Sequence, residues 1–538
     1  MTGAQHQMAT SGYDYIIVGA GSAGCVVANR LSKDPACRVL LLEAGGSDRN
    51  FWIKLPVGYY RSIFDDRFSR LFKTEPDDAL GGRSIDWPRG RVIGGSSSIN
   101  GLIFIRGQHE DFDDWERLGA TGWSYRDALP YFRRYERYRG GDSQYHGGLG
   151  EFEVSDLRVG NPASEAWVNA GVEFGLPRNP DFNGATTYGV GSYQLGIGSR
   201  WRSSSASAFL HPVADRPNLT VISRAQVRRV LFAGSTATGV EWIADGQPRQ
   251  ASADREVILC AGSIQSPQLL QLSGIGPADL LRSLNIPIIA DAPEVGRNLQ
   301  DHYQARIIVR LKQPISLNRQ VRNPVELAKM GLQWALYGNG PLTAGAGQVG
   351  GAACTEYAVG GRPDVQFNVM PLSVDRPGEP LHSYSGFTAS AWQCHATSRG
   401  HLAIRSTDPF DAPTIHANYF EQELDRKTLV DGLRILREIF QQPSFRDLWD
   451  VEMKPGAAAD DTDALWDFAR RTGGTVFHPV GTCRMGSDAS AVVDPQLRVN
   501  GVERLRVIDA SVMPQITSAN TNATSLMIGE KGAASILM

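Results

Sequence analysis

The chain has 538 residues, 42% of them hydrophobic and 21% charged, with a formal net charge of −3. That length exceeds what one core usually serves, so two or more domains are expected, and the charge excludes the basic footprint of a nucleic-acid binder. Six scattered cysteines with no C-x-x-C pair, and no Cys/His cluster at zinc spacing, argue against a disulfide framework or a structural metal.

The polar opening MTGAQHQMATSG lacks the basic-then-apolar pattern of a signal peptide. No apolar run of ~18 residues follows anywhere, so no membrane span is expected. With reduced thiols this reads as a cytoplasmic protein, peripheral attachment to a membrane being left open. Residues 13–18 (YDYIIV) form a buried strand, GAGSAG a turn, and CVVANRLSKD a helix; RVLLLEAG is a second apolar strand ending in an acid. This is a β–α–β unit, the opening of a doubly wound nucleotide domain.

Gly19, Gly21 and Gly24 fit G-x-G-x-x-G between strand and helix, with Ser22 and Ala23 inside the turn. Gly19 permits the turn, Gly21 lets a pyrophosphate approach the backbone, and Gly24 lets helix and sheet pack closely. Glu43, followed by Ala44, ends the second strand where a carboxylate can accept both ribose hydroxyls. That carboxylate disfavours a 2′-phosphorylated cofactor, but the fingerprint does not separate NAD from FAD.

Further nucleotide-domain signals come in the middle (REVILCAG, 255–262, then SPQLLQLSGIG) and near the end (RLRVIDASVMP, 504–514, then TSLMIGEKGAASIL). Residues 160–200 and about 315–465 alternate strands such as PDVQFNVMP and HLAIRS with amphipathic helices such as PVELAKMGLQWALYG and DRKTLVDGLRILREIF. The fold class expected is α/β (α+β overall). A discontinuous Rossmann-like cofactor domain (1–158, 200–315 and 466–538) receives an inserted sheet-plus-helix substrate domain (159–199 and 316–465).

Five segments resemble those of the glucose–methanol–choline (GMC) family of oxidoreductases: GRVIGGSSSINGLIFIRG (90–107), AGSIQSPQLLQLSGIG (261–276), VGRNLQDH (295–302), HPVGTCRMG (478–486) and DASVMPQITSANTNATSLMIGEK (509–531). The resemblance implies FAD as cofactor and oxidation of an alcohol as reaction. It places Arg91, Gly95, Ser96, Asn100, Gly101 and Ile103 along the pyrophosphate and flavin, Val227 at the adenine, and Ala261, Asp509, Ala510, Thr521 and Asn522 around the rest of the cofactor. In some choline-oxidising relatives a histidine in the first segment is bonded to the flavin. Ile99 stands there in this chain, so non-covalent FAD is expected.

Alcohol oxidation needs a base for the hydroxyl proton. The resemblance makes His478 that base and sets Asn520 opposite it across the substrate hydroxyl, with Asn522 serving the flavin. His302, in NLQDH, is read as structural. The substrate pocket is expected from GNGPLTAGAGQVGG (338–351) and SAWQCHATS (390–398), with Gln348, Trp392 and Phe477 in its wall. A family glutamate that faces choline is matched to Gln348, a neutral amide. The reading is therefore a neutral primary aliphatic, benzylic or furanic alcohol, with oxygen or a quinone-type acceptor. Choline-dehydrogenase-like activity, or a flavin lyase or photodecarboxylase on the same fold, are the alternatives. No G-x-S-x-G elbow supports a serine hydrolase.

Overall fold

The computed structural model describes residues 12–376 and 378–538; the opening residues 1–11 lie outside them. Two seven-stranded sheets organise the chain. In the first, the strands Leu219–Ser223, Val39–Glu43, Tyr13–Val18 and Gln247–Leu259 run side by side and parallel, and Leu505–Val507 adds beyond the last. Strands of this kind are covered on both faces and read as continuous apolar runs, as YDYIIV and VLLLE do. The 13-residue strand Gln247–Leu259 does double duty. Its first half pairs antiparallel with Thr236–Ala244, and its apolar second half joins the parallel sheet.

Helix Ser22–Leu31 leaves the first strand and lies against the C-terminal helix Thr521–Leu537. The approach is close: a Cβ on Gly529 would stand 3.0 Å from the Ala23 backbone, and one on Gly24 would stand 1.9 Å from the Gly19 carbonyl oxygen. Gly24 therefore serves packing, as its place in the fingerprint implies.

The second sheet is antiparallel, in the order Trp449–Lys454, Tyr303–Leu311, Gly386–Gln393, Val365–Met370, Val349–Ala353, Gly189–Ser192. Alternation governs it. Ile307, Val309, Val365, Phe367, Phe387 and Ala389 join a core with Leu429, Leu433 and Leu436 of helix Glu423–Phe440. Gly432 of that helix has no room for a side chain, since a Cβ would meet Val365 Cγ2 at 2.6 Å. The intervening residues face the other way, toward the first sheet.

The strand Tyr303–Leu311 hydrogen-bonds in the second sheet, although the boundary expected at 315 assigns it to the cofactor domain. Its pattern, YQARIIVRL, carries enough apolar residues to pass for a strand of either sheet. HLAIRS and RLRVIDASVMP give strands of only three residues each, His401–Ala403 and Leu505–Val507.

Candidate active site

One cavity lies between the sheets, and every position named above for the cofactor lines it except Gly24. At one end it is a backbone cradle. A Cβ on Gly45 would stand 2.0 Å from the Arg91 carbonyl carbon, and one on Gly95 would stand 2.7 Å from Gly21 Cα. Helices Ser22–Leu31 and Thr521–Leu537 both begin on the cavity without a side-chain cap, and Ser22 Oγ donates to Asn522 Oδ1 across 2.9 Å to hold the two starts together. Two uncapped N-termini turn free N–H groups and positive dipole ends into the cavity.

Glu43 accepts Ala20 N–H at 2.9 Å through one oxygen and Gly45 N–H at 2.8 Å through the other. Burial nonetheless raises its pKa to about 7. A carboxylate accommodates about four acceptor contacts, so two remain for ribose hydroxyls. Arg91 Nε is buried without a partner. Asp509 holds the start of helix Gly262–Leu272 by accepting Gly262 N–H at 2.8 Å and Ser266 Oγ–H at 2.6 Å. A narrow glycine floor, an orphaned guanidinium nitrogen and a ribose-facing acid fit an adenine dinucleotide such as FAD.

At the other end the chemistry is carried by side chains. His478 follows a strained turn: Phe477 adopts φ +68, rare for a residue with a bulky side chain. Asp301 secures the turn by accepting His478 N–H at 2.8 Å and Thr475 Oγ1–H at 2.5 Å, while Arg89 donates to the Phe477 carbonyl at 2.7 Å. Burial raises Asp301 to about 6.

The imidazole is set by a chain of hydrogen bonds. His302 Nε2 lies 3.0 Å from the Cys394 carbonyl, which can only accept, so this nitrogen carries the proton. His302 Nδ1 then accepts from His478 Nδ1, also at 3.0 Å. That leaves the His478 Nε2 lone pair on the cavity side, where it accepts from Asn520 Nδ2 at 3.0 Å. Asn520 is the N-cap residue of helix Thr521–Leu537, yet its side chain makes no cap bond. A group that usually stabilises a helix start is turned to the base instead. Burial, then the neighbouring His302 ring and the charge of Arg89, hold the His478 pKa well below its usual value. The imidazole is neutral and ready to accept a proton.

The wall beyond this pair comes from the second sheet: Gln304, Arg306, Asn368, Met370 and Ser390. Of the three residues expected there, Phe477 lines the cavity, whereas Gln348 and Trp392 are buried outside the lining. Ala346 and Asn368 form the wall near Gln348, and Trp392 instead packs beside His302 with ring centroids 6.3 Å apart. The neutral amides in the wall are Gln304 and Asn368. Sequence reading missed Gln304 and Arg306, and it took His302 for structural although the ring touches His478. Its place in the same five-residue run as Asp301 was the available signal.

A family model described as GMC oxidoreductase matches residues 13–304, and a second, for the C-terminal part, matches residues 396–529. The chain is 42% identical over 532 residues to the mitochondrial choline dehydrogenase of Mus musculus, covering 97% of this chain and 89% of that one. It is 41% identical over 534 residues to the alcohol dehydrogenase (acceptor) of Pseudomonas putida, covering 97% and 95%. Among solved structures, pyridoxine 4-oxidase from Mesorbium loti superposes with a TM-score of 0.88 at 30% identity, over 97% of this chain and 98% of that one. The cradle, the His478–Asn520 pair and these likenesses agree: the chain belongs to the GMC oxidoreductase family, enzymes that act on CH–OH donors.

Proposed function

We propose that the protein holds FAD without a covalent link and oxidises a primary aliphatic, benzylic or furanic alcohol whose remainder carries no cation. When bound, FAD supplies the hydride acceptor. The chain supplies the proton chemistry: the alcohol O–H donates to His478 Nε2, Asn520 Nδ2 donates to the alcohol oxygen, and His302 Nδ1 accepts from the resulting imidazolium. Oxygen or a quinone-type compound then takes the electrons. For the absence of a covalent link, the support is Ile99, which has no nucleophile, and Cys260, whose thiol burial pushes its pKa well above the usual value.

One observation carries the substrate reading: the carboxylates that line the cavity are Glu43 and Asp509, both at the nucleotide end, while the substrate end holds Arg306. Several relatives are choline dehydrogenases, which makes choline the second reading. A quaternary ammonium would rely on an acid or an aromatic cage. Tyr59, Tyr60 and Phe477 line this end, but the guanidinium beside the two tyrosines is itself a cation and repels another. The test is anaerobic bleaching of the flavin absorbance by a panel of alcohols that includes choline. Primary uncharged alcohols are expected to bleach it faster at equal concentration. A choline preference of tenfold or more in kcat/KM would overturn the reading, and colour retained in an acid pellet would overturn dissociable FAD.

A further inference from the structure

Two guanidinium groups in the cavity make no hydrogen bond or ion pair with a described side chain or carbonyl: Arg91 at the nucleotide end and Arg306 on the substrate wall. Their enclosed neighbours differ. Arg89 donates to the Pro88 and Phe477 carbonyls, each at 2.7 Å, and Arg202 donates to the Ile53 carbonyl at 3.0 Å and to Asn100 Oδ1 at 2.7 Å. Arg306 is half-buried and faces the cavity; a cation partly withdrawn from water without acceptors is costly, and an anion arriving from the cavity would offset that cost. For Arg91 the cofactor phosphates or flavin answer the need. For Arg306 nothing among the described residues does.

Its surroundings suit a ligand oxygen. Arg306 stands in register with Ser390, and Ser390 with Asn368, so the three share one face of the sheet. Asn368 is buried, with its Oδ1 unpartnered. Tyr59 and Tyr60 line the same cavity and stand near enough to act on the guanidinium.

We propose that Arg306 is an anion subsite of the substrate pocket, binding a carboxylate at the end of the alcohol remote from the carbinol. This rests on the alcohol-oxidising reading above and deepens it. Arg306 lies two residues beyond Gln304 on the same face of the strand and four from His302, ~13 Å between backbones at ~3.3 Å per strand residue. The ligand that suits this offset carries a spacer between carbinol and carboxylate. An ω-hydroxy acid or a hydroxymethyl-aryl carboxylate meets that requirement, and an α-hydroxy acid does not.

The experiment compares matched pairs in anaerobic flavin reduction by the holoenzyme: benzyl alcohol with 4-(hydroxymethyl)benzoate, and 1-hexanol with 6-hydroxyhexanoate, with glycolate as the short control. The carboxylate member is expected to win by ~10-fold or more in kcat/KM, and glycolate to react poorly. Arg306→Met should lower kcat/KM for the carboxylate members by ~30-fold or more, the size of losing one partner of an enclosed charge pair. The ratio of carboxylate to uncharged member within each pair should collapse toward unity in Arg306→Met, and Arg306→Lys should keep part of the preference. Equal rates within the pairs, or an equal loss for both members in Arg306→Met, would overturn the subsite. If no alcohol reduced the flavin, the reaction reading would fail on its own. Titration of the flavin spectrum with benzoate would still decide the subsite, since Arg306→Met must weaken that binding, and unchanged binding would refute it.

Discussion

The two ends of the cavity are built from different materials. The nucleotide end is made of backbone: glycines too crowded for a Cβ, the uncapped start of helix Ser22–Leu31, and an acid braced by two N–H groups. The substrate end is made of side chains on a sheet face, joined by single hydrogen bonds between residues far apart in the chain. Shape that resides in backbone is lost as a whole when crowded. Function that resides in side chains can be removed one group at a time, leaving the fold and the cofactor in place.

Substitution at His478 should show that separation most strongly. His478→Ala removes the base, and flavin reduction should slow by ~10²–10⁴-fold, the usual worth of general base catalysis. The ratio of flavin to protein absorbance should stay at the parental value. Parental reduction rates in this variant would remove His478 from the chemistry. Gly45→Ala is the reverse experiment. Its Cβ would press on the Arg91 backbone at 2.0 Å, and overpacking of this kind costs ~1–3 kcal/mol. Flavin occupancy should fall by ~10-fold, while molecules that retain flavin reduce it at the parental rate. If His478→Ala lost flavin or Gly45→Ala kept it, the distinction between the two ends would collapse.

The same contrast explains what was legible beforehand. The fingerprint Gly19–Gly24 with Glu43 is a local object, because strand, turn, helix and second strand follow one another, so spacing alone locates the phosphates' cradle. The segments at 478–486 and 509–531 are likewise contiguous and pair His478 with Asn520. The substrate wall has no local signature. Gln304 and Arg306, Asn368, and Ser390 are brought together by the register of three antiparallel strands, and a run such as QARIIVRL gives no sign of which residues point to core and which to cavity. Gln348 and Trp392 have the parity of the cavity side, Trp392 standing in register with Gln304, yet both are covered by neighbours, which no local pattern gives away. His302 is a related case: a single buried histidine carries no signal until its ring is seen 3.0 Å from His478.

His302 offers a smaller, sharper test, since it is argued to act through His478. His302→Phe removes the acceptor for His478 Nδ1–H. Loss of one orienting hydrogen bond is worth ~1–1.5 kcal/mol, so the limiting rate of flavin reduction should fall by ~10-fold. The alcohol's apparent Kd should barely change. His302→Gln, whose amide can both accept from His478 and donate to the Cys394 carbonyl, should recover part of the rate. A purely structural role predicts no such rescue.

The smallest expected effect concerns pH, and it too separates fold from chemistry. Burial lowers the His478 pKa well below its usual value and that of His302 to about 4. A base with a lowered pKa keeps its lone pair further into acid. Between pH 8 and 6.5 the rate of flavin reduction should therefore change by less than ~2-fold, with the acid limb appearing only below pH 6.5. An imidazole near the ordinary value of ~6.5 would already have lost half its rate there. Stability behaves oppositely. Both rings are neutral when folded and take up protons near pH 6.5 when unfolded, so their contribution is complete above ~6.5 and declines as pH falls toward the folded values. Two protons correspond to a slope of about 2.7 kcal/mol per pH unit at most. Glu43 and Asp301, raised by burial to about 7 and about 6, take up protons in the folded state over the same range and offset that slope, so the clean readout is flavin reduction, which should not differ between pH 7 and pH 6.5. A half-maximal rate at pH 6.5 would mean that the His478 ring is open to water, and the closed hydrogen-bond chain through His302 would have to be abandoned.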